Sequence, residues 1–189
     1  GASGLSPLEL ALTPRHPLER PNRRPYVAQS SDQPSRRLED LNLDDRLVEM
    51  LRDQWGIEEL FPPQAEALPT ALSGRNVMLT IPTASGKSLV AHLTIVHRLT
   101  TDLEGDRALY IVPLKALATE KVKELRAIAG SVGLRVGLAI GDRDGETGLI
   151  EDSDILVCTS EKLDSLLRTR SELMDKVGIV VSDEFHLLH

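Results

Sequence analysis

The sequence predicts an α/β fold in which helices flank a parallel sheet. Short apolar segments rich in β-branched residues alternate with longer amphipathic segments over most of the chain, which is the pattern of consecutive strand–helix units. The strands lack an alternating polar face, as expected where helices cover both sides of a sheet. Strand–helix–strand units form right-handed crossovers, so the strands should run parallel.

Two helices are predicted before this alternation. The first has apolar residues at helical spacing from Leu43, acidic residues near its start, and ends at Trp55-Gly56. A proline-containing turn leads to a second short helix over residues 64–72. The later elements are strand 77–80, helix 87–100, strand 108–112, helix 114–129, strand 134–139, a polar loop at 141–148, strand 154–158, helix 160–168 and strand 177–182.

Composition predicts a single soluble domain. The chain has 189 residues, 41% hydrophobic and 27% charged, which is enough to bury a core, and its 3% aromatic content predicts an aliphatic one. The lone cysteine, Cys158, excludes an internal disulfide and is expected to be buried and inert. There is no apolar stretch of about 18 residues and no secretory signal, so we expect a cytoplasmic protein with no membrane contact.

Residues 1–37 are predicted to form a flexible tail, and residues 38–189 the folded domain. The tail holds six of the eleven prolines. Its six arginines and three acidic residues give +3, so the chain's net charge of −7 leaves −10 on the remainder. That acidic balance argues weakly against nucleic-acid binding. A solvated linker is favoured over a phosphate-contacting arm built from Arg20, Arg23 and Arg24.

A phosphate-binding loop is predicted at residues 82–88, Pro-Thr-Ala-Ser-Gly-Lys-Ser, which follow a strand and open a helix. Backbone N–H groups at a helix N-terminus can point at phosphates. Gly86 permits a close backbone approach, Lys87 can reach the β- and γ-phosphates, and the Ser88 hydroxyl can ligate Mg²⁺. The general pattern has glycine where this chain has Ile81, so this segment alone leaves a plain strand–turn–helix corner open.

An acidic pair follows the last predicted strand. Asp183 can hold the Mg²⁺ of a nucleotide, directly or through water, and Glu184 can orient and polarise an attacking water. Ligands of open α/β sheets bind at the carboxyl ends of strands, where this pair and the phosphate-binding loop are both expected. Together the two motifs predict an ATPase.

These two motifs resemble motifs I and II of superfamily 2 DExH helicases, in which motif I often reads Pro-Thr-x-x-Gly-Lys-Ser/Thr, so that Ile81 is no departure. Other segments are similar to further motifs of that family: residues 61–67 to the adenine-reading Q motif, 112–121 to motif Ia, 159–168 to motif Ib, and Gly141-Asp142 to a Gly-Asp element. The combination most resembles the archaeal Hjm-type repair helicases, which are relatives of the Ski-like branch and of the helicase half of DNA polymerase theta. The resemblance covers about residues 40–189.

The resemblance implies a RecA-like domain that is incomplete on its C-terminal side. The family's motif III and its second RecA-like domain, which supplies arginines to the γ-phosphate, would follow His189, so this chain alone is expected to hydrolyse ATP weakly. The implied catalytic residues are Lys87, Asp183 and Glu184, the implied metal ligands are Ser88 and Asp183, and His186 couples the two sites. ATP-binding residues are Phe61, Gln64, Pro82, Thr83, Ala84, Ser85, Gly86, Lys87 and Ser88; nucleic-acid contacts are Pro113, Lys115, Thr119, Thr159, Ser160 and Lys162.

The function expected from the resemblance is an ATP-dependent helicase that uses ATP and Mg²⁺ to move 3′ to 5′ on single-stranded or forked DNA during DNA repair. A Ski-like RNA helicase is the alternative, because the motor motifs barely separate the two. A nucleotide-dependent binding module without hydrolysis is the alternative of another class, and Glu184 speaks against it. His186 and His189 have a spacing seen in metal sites, but two ligands are too few to predict zinc. His92 and His97 are expected to be packing or surface residues.

Overall fold

The computed structural model describes the backbone and side chains of residues 36–74, 88–141 and 150–183, and the backbone alone of residues 7–12, 77–80 and 84–87. The strands are β1 (Pro7–Leu12), β2 (Val77–Thr80), β3 (Arg107–Val112), β4 (Val136–Ala139), β5 (Ile155–Thr159) and β6 (Val177–Ser182). The α-helices are α1 (Asp45–Trp55), α2 (Pro62–Leu72), α3 (Ala84–Leu99), α4 (Lys115–Gly130) and α5 (Ser160–Thr169), and short 3-10 helices cover Leu38–Leu41 and Ser171–Met174.

The strands form one six-stranded sheet in the order β2-β1-β6-β3-β5-β4. Strands β6, β3, β5 and β4 run parallel, which confirms the predicted parallel α/β fold. The register brings three strand ends to one edge, because Val112 lies opposite Thr159 and Ile111 lies opposite Ser182. The segments that follow β3, β5 and β6 therefore leave the sheet side by side.

Strand β1 departs from the flexible tail that composition predicts. It lies between β2 and β6 and is antiparallel to both, with Pro7 opposite Thr80 and Glu9 opposite Ser182. Its leucines stand at every second position, which is the period of a strand, and its proline comes first, where a missing N–H is tolerated. The proline and arginine content of the whole tail hides this short alternation. The remainder of residues 1–35 lies outside the described part of the chain.

The folded domain also begins slightly before the predicted boundary at residue 38. The backbone N–H of Leu60 donates to the carbonyl of Arg36 at 2.7 Å, and the Arg36 Nε donates to the Leu60 carbonyl at 2.8 Å. Arg37 forms an isolated bridge with Glu59. These backbone contacts attach the last residues of the predicted tail to the segment before α2.

Two apolar layers cover the sheet. On one face Ala108, Tyr110 and Val112 of β3 pack with α1 to α4, and on the other Leu109 and Ile111 pack with α5 and the second 3-10 helix. Among the buried hydrophobic side chains of the described residues, Tyr110 is the only aromatic one, and it is fully buried. The aliphatic core is as predicted, and Tyr110 is the exception that matters for the site. None of the described helices is long and apolar enough to cross a membrane.

Helix boundaries follow local signals. Helix α1 begins after Asp44, whose side chain accepts a hydrogen bond from Arg46 N at 2.9 Å, and ends at Gly56, whose φ of 64° is the left-handed conformation of a helix end. Helix α2 begins two residues earlier than predicted, at Pro62. A proline is tolerated in the first turn because the backbone N–H that it lacks would have no acceptor within the helix. Helix α3 begins at Ala84, three residues earlier than predicted.

Candidate nucleotide-binding site

Asp183 is fixed at the carboxyl edge of the sheet directly after β6. Its backbone N–H donates to the carbonyl of Ile111 at 3.0 Å, which extends the pairing of β6 with β3 by one residue. Its side chain is buried, with only 2% of the residue exposed. Because a buried carboxylate needs partners, the groups around it define the site.

Tyr110 lies beside the two residues predicted to ligate Mg²⁺. Its hydroxyl donates to Asp183 Oδ2, and the Ser88 side chain, in the first turns of α3, is close enough to influence the pKa of the same phenol. Burial raises the pKa of Tyr110 well above its usual value, and the Asp183 charge adds to the shift. The phenol therefore stays protonated and available as a donor. Tyr110 therefore lies near both Ser88 and Asp183, and the motifs do not include this tyrosine. That Ser88 and Asp183 hold a metal stays a prediction.

Lys121 of α4 also contacts Ser88. Its ammonium donates to Ser88 Oγ at 2.6 Å and lies 3.5 Å from Glu124 Oε2. An ammonium only donates and a carboxylate only accepts, so Lys121 donates to Ser88 and Tyr110 donates to Asp183. Both Ser88 and Lys121 are buried.

His92 completes the buried group from the next turn of α3. Its Nε2 lies 2.8 Å from Glu124 Oε2, and its ring is tilted against Tyr110 with centroids 5.5 Å apart. Burial lowers the pKa of His92, although Glu124 opposes the shift. Burial raises the pKa of Glu124, but its contacts with His92 and Lys121 outweigh this and leave the pKa below its usual value. His92 is thus a packing residue, as predicted, and also a partner of a carboxylate.

The residues present fit a magnesium ion held together with a nucleotide. Ser88 and Asp183 offer hydroxyl and carboxylate oxygens, the ligands Mg²⁺ prefers. Within the described ranges no group of three or more His, Cys, Asp and Glu could form a metal cage. Mg²⁺ commonly takes one or two protein oxygens and completes its shell with phosphates and water, so two ligands at a phosphate-binding loop suffice.

The phosphate-binding loop is described only in part. Helix α3 begins at Ala84, so Ser85, Gly86 and Lys87 lie in its first turn, the part of a helix whose free N–H groups bind anions. The side chains of residues 84–87, the whole of Pro82 and Thr83, and Glu184, His186 and His189 lie outside the described part of the chain. Their roles stay predictions.

At the predicted adenine-reading motif, the structure shows a helix cap. The Gln64 side chain is buried, and its Oε1 accepts a hydrogen bond from the backbone N–H of Phe61 at 2.8 Å, which satisfies the start of α2. Phe61 is 66% exposed. Helix α2 packs against α3, the helix that the phosphate-binding loop opens. Adenine recognition by Gln64 stays a prediction.

The residues predicted to contact nucleic acid lie around the first turns of α4 and α5. These two helices follow the paired strands β3 and β5, and so begin at the same sheet edge on opposite faces. Thr159 is buried, and its hydroxyl caps α5 by accepting from Lys162 N at 3.2 Å. Lys115 and Thr119 are exposed, whereas Pro113, Ser160 and Lys162 are half-buried. Cys158 is buried, which raises the pKa of its thiol to about 12, in line with the predicted inert role.

The sheet order and flanking helices define a RecA-like domain, as predicted, and solved helicases share it. The RNA helicase Prp28 from Chaetomium thermophilum, bound to ADP, matches with a TM-score of 0.64 and 25% identity over 76% of this chain and 37% of that one. The DUF1998 helicase MrfA, bound to DNA, matches with a TM-score of 0.62 and 25% identity over 78% of this chain and 21% of that one. The model of the DEAD/DEAH box helicase family matches residues 61–189. This chain belongs to that family.

Among curated relatives, the ATP-dependent DNA helicase Hel308 of Pyrococcus horikoshii is 47% identical over 153 residues, which is 80% of this chain and 21% of the relative. Hel308 of Methanocella arvoryzae is 41% identical over 157 residues. The chain thus spans about a fifth of the length of these relatives. The predicted resemblance to a DExH helicase is confirmed.

The sequence motifs do not predict Tyr110, Lys121 and Glu124 as parts of the site. One available signal is the tyrosine within the apolar strand β3, two residues before the carboxyl end of that strand. A buried phenol needs a hydrogen-bond partner. A lysine on the apolar side of α4 is the other, since lysine is almost never fully buried unless it is paired.

Proposed function

We propose that residues 38–189 form the first motor domain of an ATP-dependent DNA helicase, which binds ATP and Mg²⁺ at the carboxyl edge of the sheet. The buried polar cluster around Ser88 and Asp183 beside the start of α3 carries this proposal. Membership of the DEAD/DEAH box helicase family and likeness to proteins named ATP-dependent DNA helicase support it. A second RecA-like domain of the same protein would complete the ATP site.

In this proposal each residue of the site has one task. The N–H groups at the start of α3 and the Lys87 ammonium bind the phosphates. Ser88 and Asp183 hold the metal, and Tyr110 orients the Asp183 carboxylate by donating to it. Glu184 orients and polarises the attacking water. Bound Mg²⁺ supplies charge neutralisation at the phosphate oxygens.

Adenine would contact the Q motif, next to the phosphate-binding loop. Phe61 offers an exposed aromatic face for stacking. The Gln64 amide can read the adenine edge, and its oxygen has to be shared with, or released from, the N–H of Phe61. His186 would relay the state of this site to the nucleic acid.

Nucleic acid would run along the first turns of α4 and α5. Lys115, Thr119, Ser160 and Lys162 offer ammonium and hydroxyl groups there, and such contacts hold phosphates without reading sequence. Pro113 shapes the turn into α4, and Thr159 acts by capping α5. We propose single-stranded or forked DNA as the substrate, with 3′ to 5′ movement and a role in DNA repair.

Titration calorimetry with Mg²⁺ and a non-hydrolysable ATP analogue tests the nucleotide site. We expect Lys87→Ala to weaken binding by at least about 100-fold, because the loop loses its charge-assisted contacts to phosphate. Lys123→Ala on the exposed side of α4 is the matched control and should bind as the parent does. Unchanged affinity in the Lys87 variant, with folding verified by circular dichroism, removes the phosphate-binding assignment.

Fluorescence anisotropy with labelled single-stranded DNA and RNA of the same sequence tests the substrate. We expect weak, sequence-independent binding that falls with salt on a shallow slope of roughly 0.7 per contacted phosphate. Lys115→Ala should weaken it further. Tight binding with strong base preference contradicts a helicase motor, and clear preference for RNA favours the Ski-like alternative.

A further inference from the structure

Lys121 makes its shortest contact with a neutral group. Its ammonium donates to the Ser88 hydroxyl at 2.6 Å, whereas the Glu124 carboxylate lies at 3.5 Å. A charge-assisted bond to a carboxylate is normally the shorter and stronger of two such contacts. Lys121 is also buried, so little solvent screens its charge. The structure therefore places a buried cation on the hydroxyl oxygen that the proposed function assigns to the metal.

An ammonium and a metal ion both bind a hydroxyl through its oxygen. Each requires a lone pair of the oxygen, and the Lys121 ammonium already occupies one lone pair of Ser88 Oγ at 2.6 Å. Two cations on one buried oxygen repel each other strongly, because little solvent screens them. Lys121 and a divalent ion at Ser88 are therefore competitors.

Resting on the proposed function, we propose that Lys121 is a positioning residue that reserves the metal site. Its ammonium holds the Ser88 hydroxyl when the site lacks Mg²⁺ and transfers to Glu124 when the nucleotide-bound ion takes that hydroxyl. The cost of this transfer sets how much Mg²⁺ strengthens nucleotide binding.

Glu124 is placed to receive the ammonium. It stands three residues after Lys121 on the same helix, so the two side chains share a face and already form an ion pair at 3.5 Å. His92 holds the same carboxylate oxygen at 2.8 Å from the buried side, which fixes the acceptor in place. Rotation of the flexible lysine side chain is sufficient for the transfer, and α4 need not move.

The experiment measures the metal effect, defined as the dissociation constant for ADP in EDTA divided by that in excess Mg²⁺, by titration calorimetry on the whole chain. Lys121→Met keeps the side-chain length and removes the competitor, so we expect the metal effect to rise about fivefold, a typical coupling for side chains in contact. Because the metal effect is a ratio, it already accounts for any change that the variant causes in the ADP affinity in EDTA. Lys123→Met, on the exposed side of the same helix, is the matched control and should change neither value.

Glu124→Gln tests the other half of the transfer and serves also if the Lys121 variant does not fold. Removing the charged acceptor should lower the metal effect by a similar factor, because the ammonium then leaves Ser88 less readily. A metal effect that is unchanged or lower in Lys121→Met, or unchanged in Glu124→Gln, overturns the proposal.

A double-mutant cycle with Ser88→Ala separates competition at the hydroxyl from a general electrostatic effect. In the Ser88→Ala background, Lys121→Met should leave the metal effect unchanged. An equal rise in that background overturns the proposal, since Lys121 then acts without Ser88. If the parent chain binds no ADP at all, the proposed function fails; if it binds ADP with Mg²⁺ but without dependence on Lys121, only this inference fails.

Discussion

The two ends of β3 each bury a basic side chain, and they treat it in opposite ways. At the amino end Arg107 donates to three backbone carbonyls, those of Ser153, Leu173 and Glu151, at 3.0, 2.9 and 2.7 Å. Near the carboxyl end, the partners of Lys121 of α4 among the described residues are both side-chain groups, the hydroxyl of Ser88 and the carboxylate of Glu124. Both basic residues are less than 9% exposed.

The difference lies in what the partners can do. Backbone carbonyls keep their positions and carry no titratable charge. The hydrogen bonds of Arg107 therefore hold β3 firmly to the segments that lead into β5 and β6. Hydroxyl and carboxylate side chains rotate, ionise and accept metals. The amino edge of this sheet is therefore built for stability, and the carboxyl edge keeps polar groups available for a ligand, as in other open α/β sheets.

The largest effect is expected at the amino edge. Arg107→Ala removes the donors of three carbonyls in a buried setting, and we expect the free energy of unfolding to fall by about 3 kcal/mol, since a buried acceptor left unpaired costs about 1–3 kcal/mol. Urea denaturation followed by circular dichroism measures this loss.

Arg107→Lys is the matched variant for that prediction. A compact ammonium cannot span three carbonyls as a planar guanidinium does, so lysine should restore only part of the stability. In molecules that remain folded, the affinity for ADP and Mg²⁺ should equal the parent's. A loss below about 1 kcal/mol in Arg107→Ala, or a selective loss of nucleotide affinity, contradicts the division between the two edges.

A smaller loss of stability, together with a functional loss, is expected from Tyr110→Phe at the carboxyl edge. The change keeps the ring against His92 but removes the hydroxyl that donates to Asp183. We expect the free energy of unfolding to fall by about 2 kcal/mol, because a charged buried acceptor loses its donor. Calorimetry should also show a smaller metal effect in this variant than in the parent.

Phe61→Leu is the aromatic control for that experiment. It alters an exposed ring proposed to stack on adenine, so it should lower the ADP affinity equally with and without Mg²⁺ and leave the stability and the metal effect near the parent's values. If Tyr110→Phe lowers stability but leaves the metal effect intact, the tyrosine is a core residue only, and the carboxyl edge loses its distinguishing feature.

The sequence predicts more of the sheet than of the site. Strands β3, β5 and β6 lie within a residue of their predicted bounds, because continuous apolar runs between turn signals are a strong pattern. Strand β1 is missed because its partners, β2 and β6, are far along the chain and a six-residue alternation is weak by itself. Ser88 and Asp183 are predicted as metal ligands because that proposed role requires a fixed spacing from the loop and the strand.

The residues that contact Ser88 and Asp183 have no fixed sequence spacing from either motif. Tyr110 meets Asp183 across 73 residues of sequence and Lys121 meets Ser88 across 33, so only the packing of α3 and α4 against the sheet brings them together. Gln64 shows the converse: its motif predicts a ligand contact, whereas its side chain oxygen caps its own helix. Motifs identify residues that touch a ligand, and the tertiary fold selects those that hold them in place.

The smallest expected effect is a pH dependence confined to the carboxyl edge. Burial lowers the pKa of His92 in the folded chain, so between that value and about 6.5 the unfolded chain binds a proton that the folded chain does not. Stability must therefore fall as the pH decreases below about 6.5, with a slope of at most about 1.4 kcal/mol per pH unit for this histidine. The lowered pKa of Glu124 acts in the same direction at more acidic pH, near 4.5 and below.

His92→Gln isolates this contribution, because glutamine can still donate to Glu124 but does not titrate. Urea denaturation at a series of pH values between 7.5 and 5 should give a flatter profile for the variant than for the parent, with the curves converging in slope above about pH 7. His97, half-buried on the same helix with a pKa also lowered by burial, leaves a residual slope that His97→Gln removes. Equal slopes in the parent and in His92→Gln would show that the imidazole titrates as freely in the folded chain as in the unfolded one. His92 and its neighbours at the carboxyl edge would then be accessible to water. The difference between this edge and the Arg107 site would be one of solvent access, and not of backbone against side-chain partners.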